Sequence, residues 1–148
     1  MKYRIYERYV TSSSLLIGTF CEKSNVPDVL EESISICQNL SAKIAYLYQS
    51  TLENYPLPKF IVNILTHEDK LSILELKKNN IRITFFIDYN GMHFLDKNIP
   101  RLIVFLSCFK KEKKEAPKNE IMKAQKIRDI YLQAKADKTL EIEVVKYE

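Results

Sequence analysis

Two alternating segments on either side of an asparagine pair constrain the fold of this chain most strongly. The segments cover residues 71–77 and 81–89, and Lys78-Asn79-Asn80 separates them. Asparagine tolerates the left-handed backbone of a tight turn, and residues opposed across such a turn share a face. The apolar face then holds Leu74, Leu76, Ile83 and Phe85, and the polar face holds Glu75, Lys77, Arg82 and Thr84. The pattern predicts a β-hairpin with one core face and one polar face turned away from the core.

The apolar spacing changes to a helical period between residues 27 and 53. Leu30, Ile34 and Cys37 form a first run, and a second run follows residues 39–41. One continuous helix would be about 40 Å long, so we favour two antiparallel helices broken near residues 39–41. A last helix is predicted from Pro117 to about residue 136. Its buried stripe would consist of Ala124, Ile127, Tyr131 and Ala134.

The remaining strands are assigned from shorter signals. Residues 3–10 are predicted as a first strand, and residues 15–20 fit either a strand or a loop. After the Asn90-Gly91 turn signal, residues 92–96 are expected to return as a strand, and residues 97–100 to form a loop. The unbroken apolar run at 102–106 is typical of a central strand. Residues 137–148 are a loose tail or an edge strand, which leaves one α+β domain over residues 1–148.

Basic residues are concentrated in one stretch of the chain. Residues 110–128 carry eight Lys or Arg and three Asp or Glu, a net charge of +5, whereas the whole chain carries +4. Such a block suits a polyanion, and nucleic acid is the commonest one in a cytoplasm. Composition alone also fits a helix whose first turns are basic and exposed to solvent, and it favours that simpler interpretation.

Several chemistries lack their sequence signatures. The two glycines, Gly18 and Gly91, are too far apart for a phosphate-binding loop, and the histidines His67 and His93 form no zinc motif. The three cysteines have no CxxC spacing, and no GxSxG elbow is present. We therefore expect no metal and no cofactor. No apolar run reaches the roughly 18 residues of a membrane span, and the chain opens without an apolar signal core, so we expect a cytoplasmic protein.

Cations from two neighbouring segments are expected to meet. Lys77 lies opposite Arg82 in the predicted hairpin, and the central strand ends in Lys110-Lys111. If these strands share a sheet, the cluster can bind phosphates and stabilise the transition state formed when a ribose 2′-hydroxyl attacks the adjacent phosphate. The simpler alternative is a sheet surface with solvated lysines.

Two motifs resemble a known family. The hairpin reads LELK followed by NNIRITFF at residues 74–77 and 79–86, and residues 103–121 read IVFLSCFKKEKKEAPKNEI. Both are similar to signatures of the RelE/ParE superfamily of bacterial toxins, the second to its phage-derived, HigB-like branch. The resemblance covers residues 71–132.

The resemblance implies a RelE-like α+β fold with an N-terminal strand, a helical hairpin, a small antiparallel sheet and a closing C-terminal helix. It further implies a type II toxin that inhibits growth by cleaving mRNA on the ribosome, without a metal. A cognate antitoxin is expected to neutralise this toxin. That antitoxin is expected to be a helix-turn-helix protein. Arg82 and Lys111 match the catalytic positions. The expected RNA contacts are Lys77, Lys78, Lys110, Lys113, Lys114 and Lys118.

The chain also departs from the family pattern. Ser107-Cys108 stands where the branch has His-Gly, and the segment at residues 92–100 is longer than the family hairpin. Tyr131 matches a family tyrosine, although its place in the helical stripe favours core packing. The alternative function is a catalytically silent or gyrase-inhibiting binding protein on the same scaffold. A third possibility makes the basic block a docking surface for an acidic partner.

Overall fold

The computed structural model describes residues 1–22, 28–37, 39–112 and 117–146. In this part of the chain, three α-helices surround a mixed sheet of seven strands, and a separate two-stranded hairpin lies beside them. The helices are α1 (Val29–Ile36), α2 (Leu40–Leu52) and α3 (Lys118–Ala136). The strands are β1 (Lys2–Tyr6), β2 (Leu15–Cys21), β3 (Val62–Ile64), β4 (Leu74–Lys78), β5 (Ile81–Asp88), β6 (Met92–Phe94), β7 (Lys97–Ile99), β8 (Arg101–Lys110) and β9 (Glu141–Val145).

The large sheet has the strand order β3-β4-β5-β8-β2-β1-β9. Its neighbours are antiparallel except for the β2–β8 and β1–β9 pairs, which are parallel. The α+β class is therefore confirmed, whereas the expected small antiparallel sheet is wrong. The sheet is larger because β1, β3 and β9 extend it at its two edges, and it is mixed because the β2–β8 and β1–β9 pairs are parallel.

The predicted hairpin is confirmed in its register. Lys77 pairs with Arg82 and Leu74 pairs with Phe85, and Asn79 takes the positive φ of 54° that the turn requires. The register follows from a turn of two residues, because a loop one residue longer or shorter would move the apolar residues to the wrong face.

Both faces of the sheet are buried. The α1–α2 pair covers the face that carries Leu76, Ile83 and Phe105, and α3 covers the face that carries Phe86 and Val104. The prediction that the polar face of the hairpin turns away from the core is therefore wrong. Glu75 and Thr84 on that face are fully buried, because α3 covers the face with a second core and Asn63 of β3 lies against Glu75.

The two expected helices upstream are confirmed, with the break at Asn39, whose φ is 64°. The last helix begins at Lys118, so Pro117 is its N-cap residue and not its first residue. Residues 15–20, which fit a strand or a loop, lie in β2, next to the central strand β8. The first predicted strand ends at Tyr6, where a short 3-10 turn follows.

The loop expected at residues 97–100 contains the strand β7, which pairs with β6. Two residues with positive φ, Leu95 and Asp96, form the turn between them. Gly91 precedes β6 with φ +66°, and a Cβ there would lie 1.8 Å from the carbonyl oxygen of Ile99. Among the described residues, no helix has both the length and the apolar character that crossing a membrane requires.

Candidate nucleic-acid interface

Five predicted site residues lie at one end of the sheet, which we name the basic end. It consists of Lys77, Lys78, Arg82, Lys110 and Lys111. β4 and β8 both finish where β5 starts, because both strands run antiparallel to it. The backbone N–H of Lys111 donates to the carbonyl oxygen of Asn80 at 2.7 Å, so the end of β8 lies against the β4–β5 turn. The structure thus brings together cations that are about thirty positions apart in the sequence.

The basic end has two faces. Lys77, Arg82 and Phe109 form one row across β4, β5 and β8, and this row lies on the α3 face. Lys78, Ile81 and Lys110 form the next row, and Ile81 belongs to the core under α1 and α2. Since opposed residues share a face, Lys78 and Lys110 lie on the side of the sheet opposite to Lys77 and Arg82. The cations therefore share one end of the sheet but not one surface.

A buried carboxylate lies beside Arg82. Glu75 is only 1% exposed, and its Oε1 lies 3.8 Å from the Nε of Arg82. Nη1 of Arg82 donates to the carbonyl oxygens of Asn79 at 2.7 Å and of Ile81 at 2.9 Å. Glu75 Oε2 and Arg82 Nε are buried and have no hydrogen-bond partner among the described residues. The carboxylate offsets the charge repulsion between Lys77 and Arg82, and the backbone contacts hold the guanidinium in place.

Asn63 connects the two charged residues of β4. Its side-chain N–H donates to Glu75 Oε1 at 3.0 Å, and its Oδ1 accepts from the ammonium group of Lys77 at 3.1 Å. The same ammonium group donates to the carbonyl oxygen of Lys59 at 3.3 Å. Sequence reasoning missed Asn63, because a three-residue strand such as β3 is too short to show an alternating pattern.

Ser107, which stands where the resembling HigB-like branch has histidine, belongs to a buried hydroxyl pair. Ser107 lies opposite Thr84, and their hydroxyl oxygens are 2.5 Å apart. The register between β5 and β8 shifts beside Thr84, which leaves Leu106 without a partner in β5. The two hydroxyl groups bond each other, and Thr84 Oγ1 also donates to the carbonyl oxygen of Ser107 at 3.4 Å, so this pair joins β5 to β8 by hydrogen bonds.

Lys43 on α2 is a further cation at this end, and sequence reasoning missed it. Its ammonium group donates to the carbonyl oxygen of Lys77 at 3.0 Å. Burial lowers the pKa of Lys43, and the neighbouring charges of Lys78, Lys77 and Arg82 lower it further. The position was hard to find because a lone lysine on an amphipathic helix resembles any solvated residue.

The other predicted contacts are on α3 or outside the described residues. Lys118 is exposed at the start of α3, and Lys113 and Lys114 lie outside the described residues. Within the ranges that the structure describes, no group of three or more His, Cys, Asp or Glu side chains is arranged to hold a metal ion.

The sequence matches no protein-family model. No curated protein matches it either.

Proposed function

We propose that this chain is a RelE/HigB-like toxin that binds and cleaves mRNA at the basic end of the sheet. The observation that carries the proposal is the Lys77–Arg82 pair, which Glu75 and Asn63 hold on one face beside the end of β8. A guanidinium group and an ammonium group placed side by side match the charge and geometry of a phosphodiester.

The order of the elements supports this proposal. Strand β1, the α1–α2 pair, β4, β5, β8 and α3 follow each other in the order that the family resemblance implies. The first predicted strand, residues 3–10, contains β1, and β2 lies between β1 and β8 in the sheet. The strands β2, β3 and β9 are further members of the same sheet.

The proposed reaction is an attack by a ribose 2′-oxygen on the adjacent phosphorus. A bond forms from the 2′-oxygen to phosphorus and the bond from phosphorus to the 5′-oxygen breaks, which leaves a 2′,3′-cyclic phosphate and a 5′-hydroxyl. Arg82 stabilises the charge that develops on the phosphoryl oxygens. The ammonium group of Lys111 gives a proton to the leaving 5′-oxygen, and water accepts the proton of the 2′-hydroxyl. This scheme uses no metal.

The test is to induce the wild type and an Arg82→Ala/Lys111→Ala variant in bacterial cells. We expect growth arrest and fragmented mRNA with the wild type, and normal growth with intact mRNA for the double variant. A matched control removes two exposed lysines away from the basic end, Lys97→Ala/Lys146→Ala, and should behave as the wild type. Equal growth and equally intact mRNA in all three strains would refute the proposal.

The second candidate is a silent or gyrase-inhibiting binding protein with the same fold. It is favoured by one observation, since the buried Ser107–Thr84 pair supplies no proton-transfer group where the family has histidine. Intact mRNA together with gyrase-linked DNA damage, or with RNA binding alone, would support it. Binding that is unaffected by salt between low and physiological concentration would instead indicate an acidic protein partner.

The proposed partners follow from the same assignment. They are mRNA, the ribosome and an antitoxin of the helix-turn-helix class, and the site of action is the cytoplasm. An adjacent reading frame that encodes a small helix-turn-helix protein would support the toxin assignment.

A further inference from the structure

A second group of cations occupies the other face of the basic end. Lys78 and Lys110 lie in one row with Ile81 between them, and Lys43 reaches the same end from α2. Neighbouring strands are about 4.8 Å apart, so the two flanking lysines of the row are about 10 Å apart with Lys43 beside them. We name Lys43, Lys78 and Lys110 the helix-side lysines.

The helix-side lysines have no acidic partner in the part of the chain that the structure describes. Among the described residues, no Asp or Glu carboxylate lies within ion-pair distance of Lys43, Lys78 or Lys110. Lys43 and Lys78 are half-buried, so their charges are only partly screened by water. Three cations gathered at one place repel each other, and a bound anion removes that cost.

The electrostatic state of Lys43 agrees with this arrangement. Lys78 is the neighbouring charge that lowers the pKa of Lys43 most, after burial itself. An ordinary solvated lysine on a helix surface would not carry such a shift. The group is therefore already positioned for an anion that approaches the end of the sheet from the helical side.

We propose that the helix-side lysines form a second phosphate-binding site, so that one single-stranded RNA crosses the basic end with phosphates bound on both faces of the sheet. The inference rests on the RNA-binding part of the proposed function. It assigns Lys77 and Arg82 to the phosphate that reacts, and the helix-side lysines to a phosphate farther along the same strand.

The test measures binding of 2′-O-methyl RNA, which lacks the attacking hydroxyl and is not cleaved. Fluorescence anisotropy is recorded over a range of salt concentrations, with oligomers of roughly four to ten nucleotides. For Lys43→Gln/Lys110→Gln we expect a Kd about tenfold higher for the longer oligomers. We also expect the salt slope to be smaller by about 0.7 for each phosphate that the variant no longer neutralises. The shortest oligomers, which reach only one site, should bind almost as they do to the wild type.

Three controls separate the outcomes. Lys97→Gln/Lys146→Gln removes the same charge elsewhere and should leave Kd unchanged, and Lys43→Arg should retain binding because the charge remains. Unchanged binding by the Lys43→Gln/Lys110→Gln variant, alongside weak binding by Arg82→Ala, would overturn the second site and leave the proposed function intact. Binding at both faces without any cleavage of ordinary RNA would keep the second site and refute the nuclease. No RNA binding by the wild type would refute both.

Discussion

At the scale of single residues, the candidate site depends on a carboxylate that is itself hidden from solvent. Glu75 is buried between Asn63 on β3 and Arg82 on β5, and it approaches the guanidinium from within the protein. A buried charge is tolerated only when opposite charge or hydrogen bonds compensate it. Glu75 is therefore a positioning residue for Arg82, and under the proposed function the charge that Arg82 presents to RNA depends on it.

We expect Glu75→Gln to lower kcat for RNA cleavage about tenfold with little change in KM, because a slightly misplaced guanidinium first weakens its interaction with the transition state. The free energy of unfolding should fall by about 1–3 kcal/mol, since Arg82 would keep a partly buried charge without its counter-ion. Steady-state cleavage kinetics and urea unfolding measure the two effects. The exposed Glu141→Gln serves as a control, and an unchanged kcat for Glu75→Gln would contradict the positioning role.

At the scale of elements, α3 shows that a basic residue counted in the sequence need not be available to bind a ligand. Ala124, Tyr131 and Ala134 of the predicted stripe are buried, whereas Ile127 is only half-buried. Arg128, which we counted in the basic block, is buried as well and binds Glu68 and the carbonyl oxygen of Leu71. One of the eight basic residues of that block thus attaches α3 to the loop before β4. Only a tertiary contact distinguishes such a residue from a nucleic-acid ligand.

The contact between α3 and this loop predicts a pH dependence of stability. The hydrogen bond from Arg128 holds the pKa of the Glu68 carboxyl below its ordinary value, with smaller contributions from Thr66 and Gln125, and burial opposes the shift. Because the pKa is lower in the folded state, the stabilisation is complete above the unfolded value of about 4.3 and is lost as pH falls through the folded value.

Accordingly, Glu68→Gln should be less stable than the wild type at pH 7, and the two proteins should converge as the pH falls below about 4. Urea unfolding at a series of pH values measures this difference in free energy. The exposed Glu141→Gln should show no such convergence. A difference between Glu68→Gln and wild type that stays constant from pH 7 to about pH 3 would show that the ion pair does not stabilise the fold.

At the scale of the whole molecule, the last strand of the chain, β9, forms an edge of the sheet beside the first strand, β1. β9 lies parallel to β1, and Arg4 of β1 contacts both Glu143 of β9 and the buried Asp28. Residues 137–148, which fit either a loose tail or an edge strand, therefore contain an edge strand. β9 is three strand positions from β8, or about 14 Å, so it stabilises the fold without reaching the basic end.

We expect truncation after Lys138 to lower the free energy of unfolding by about 1–3 kcal/mol, because β1 loses a neighbour and Arg4 loses Glu143. RNA affinity should stay within about twofold of the wild type, measured at a temperature where both proteins are folded. The midpoint of urea unfolding reports the first effect and anisotropy the second. An unchanged midpoint would mean that β9 adds nothing to the stability of the sheet.

Local patterns were sufficient to predict the hairpin register, the break between α1 and α2, the central strand and the last helix. Each of these depends on residues a few positions apart, whose spacing and turn chemistry are visible in the chain. Which layer covers each face depends on contacts between distant segments, such as Asn63 with Glu75, Lys43 with Lys77 and Arg128 with Glu68. The placement of Lys110 on the face opposite to Lys77 and Arg82, and the burial of the polar face, therefore emerged only when the strands and helices packed together.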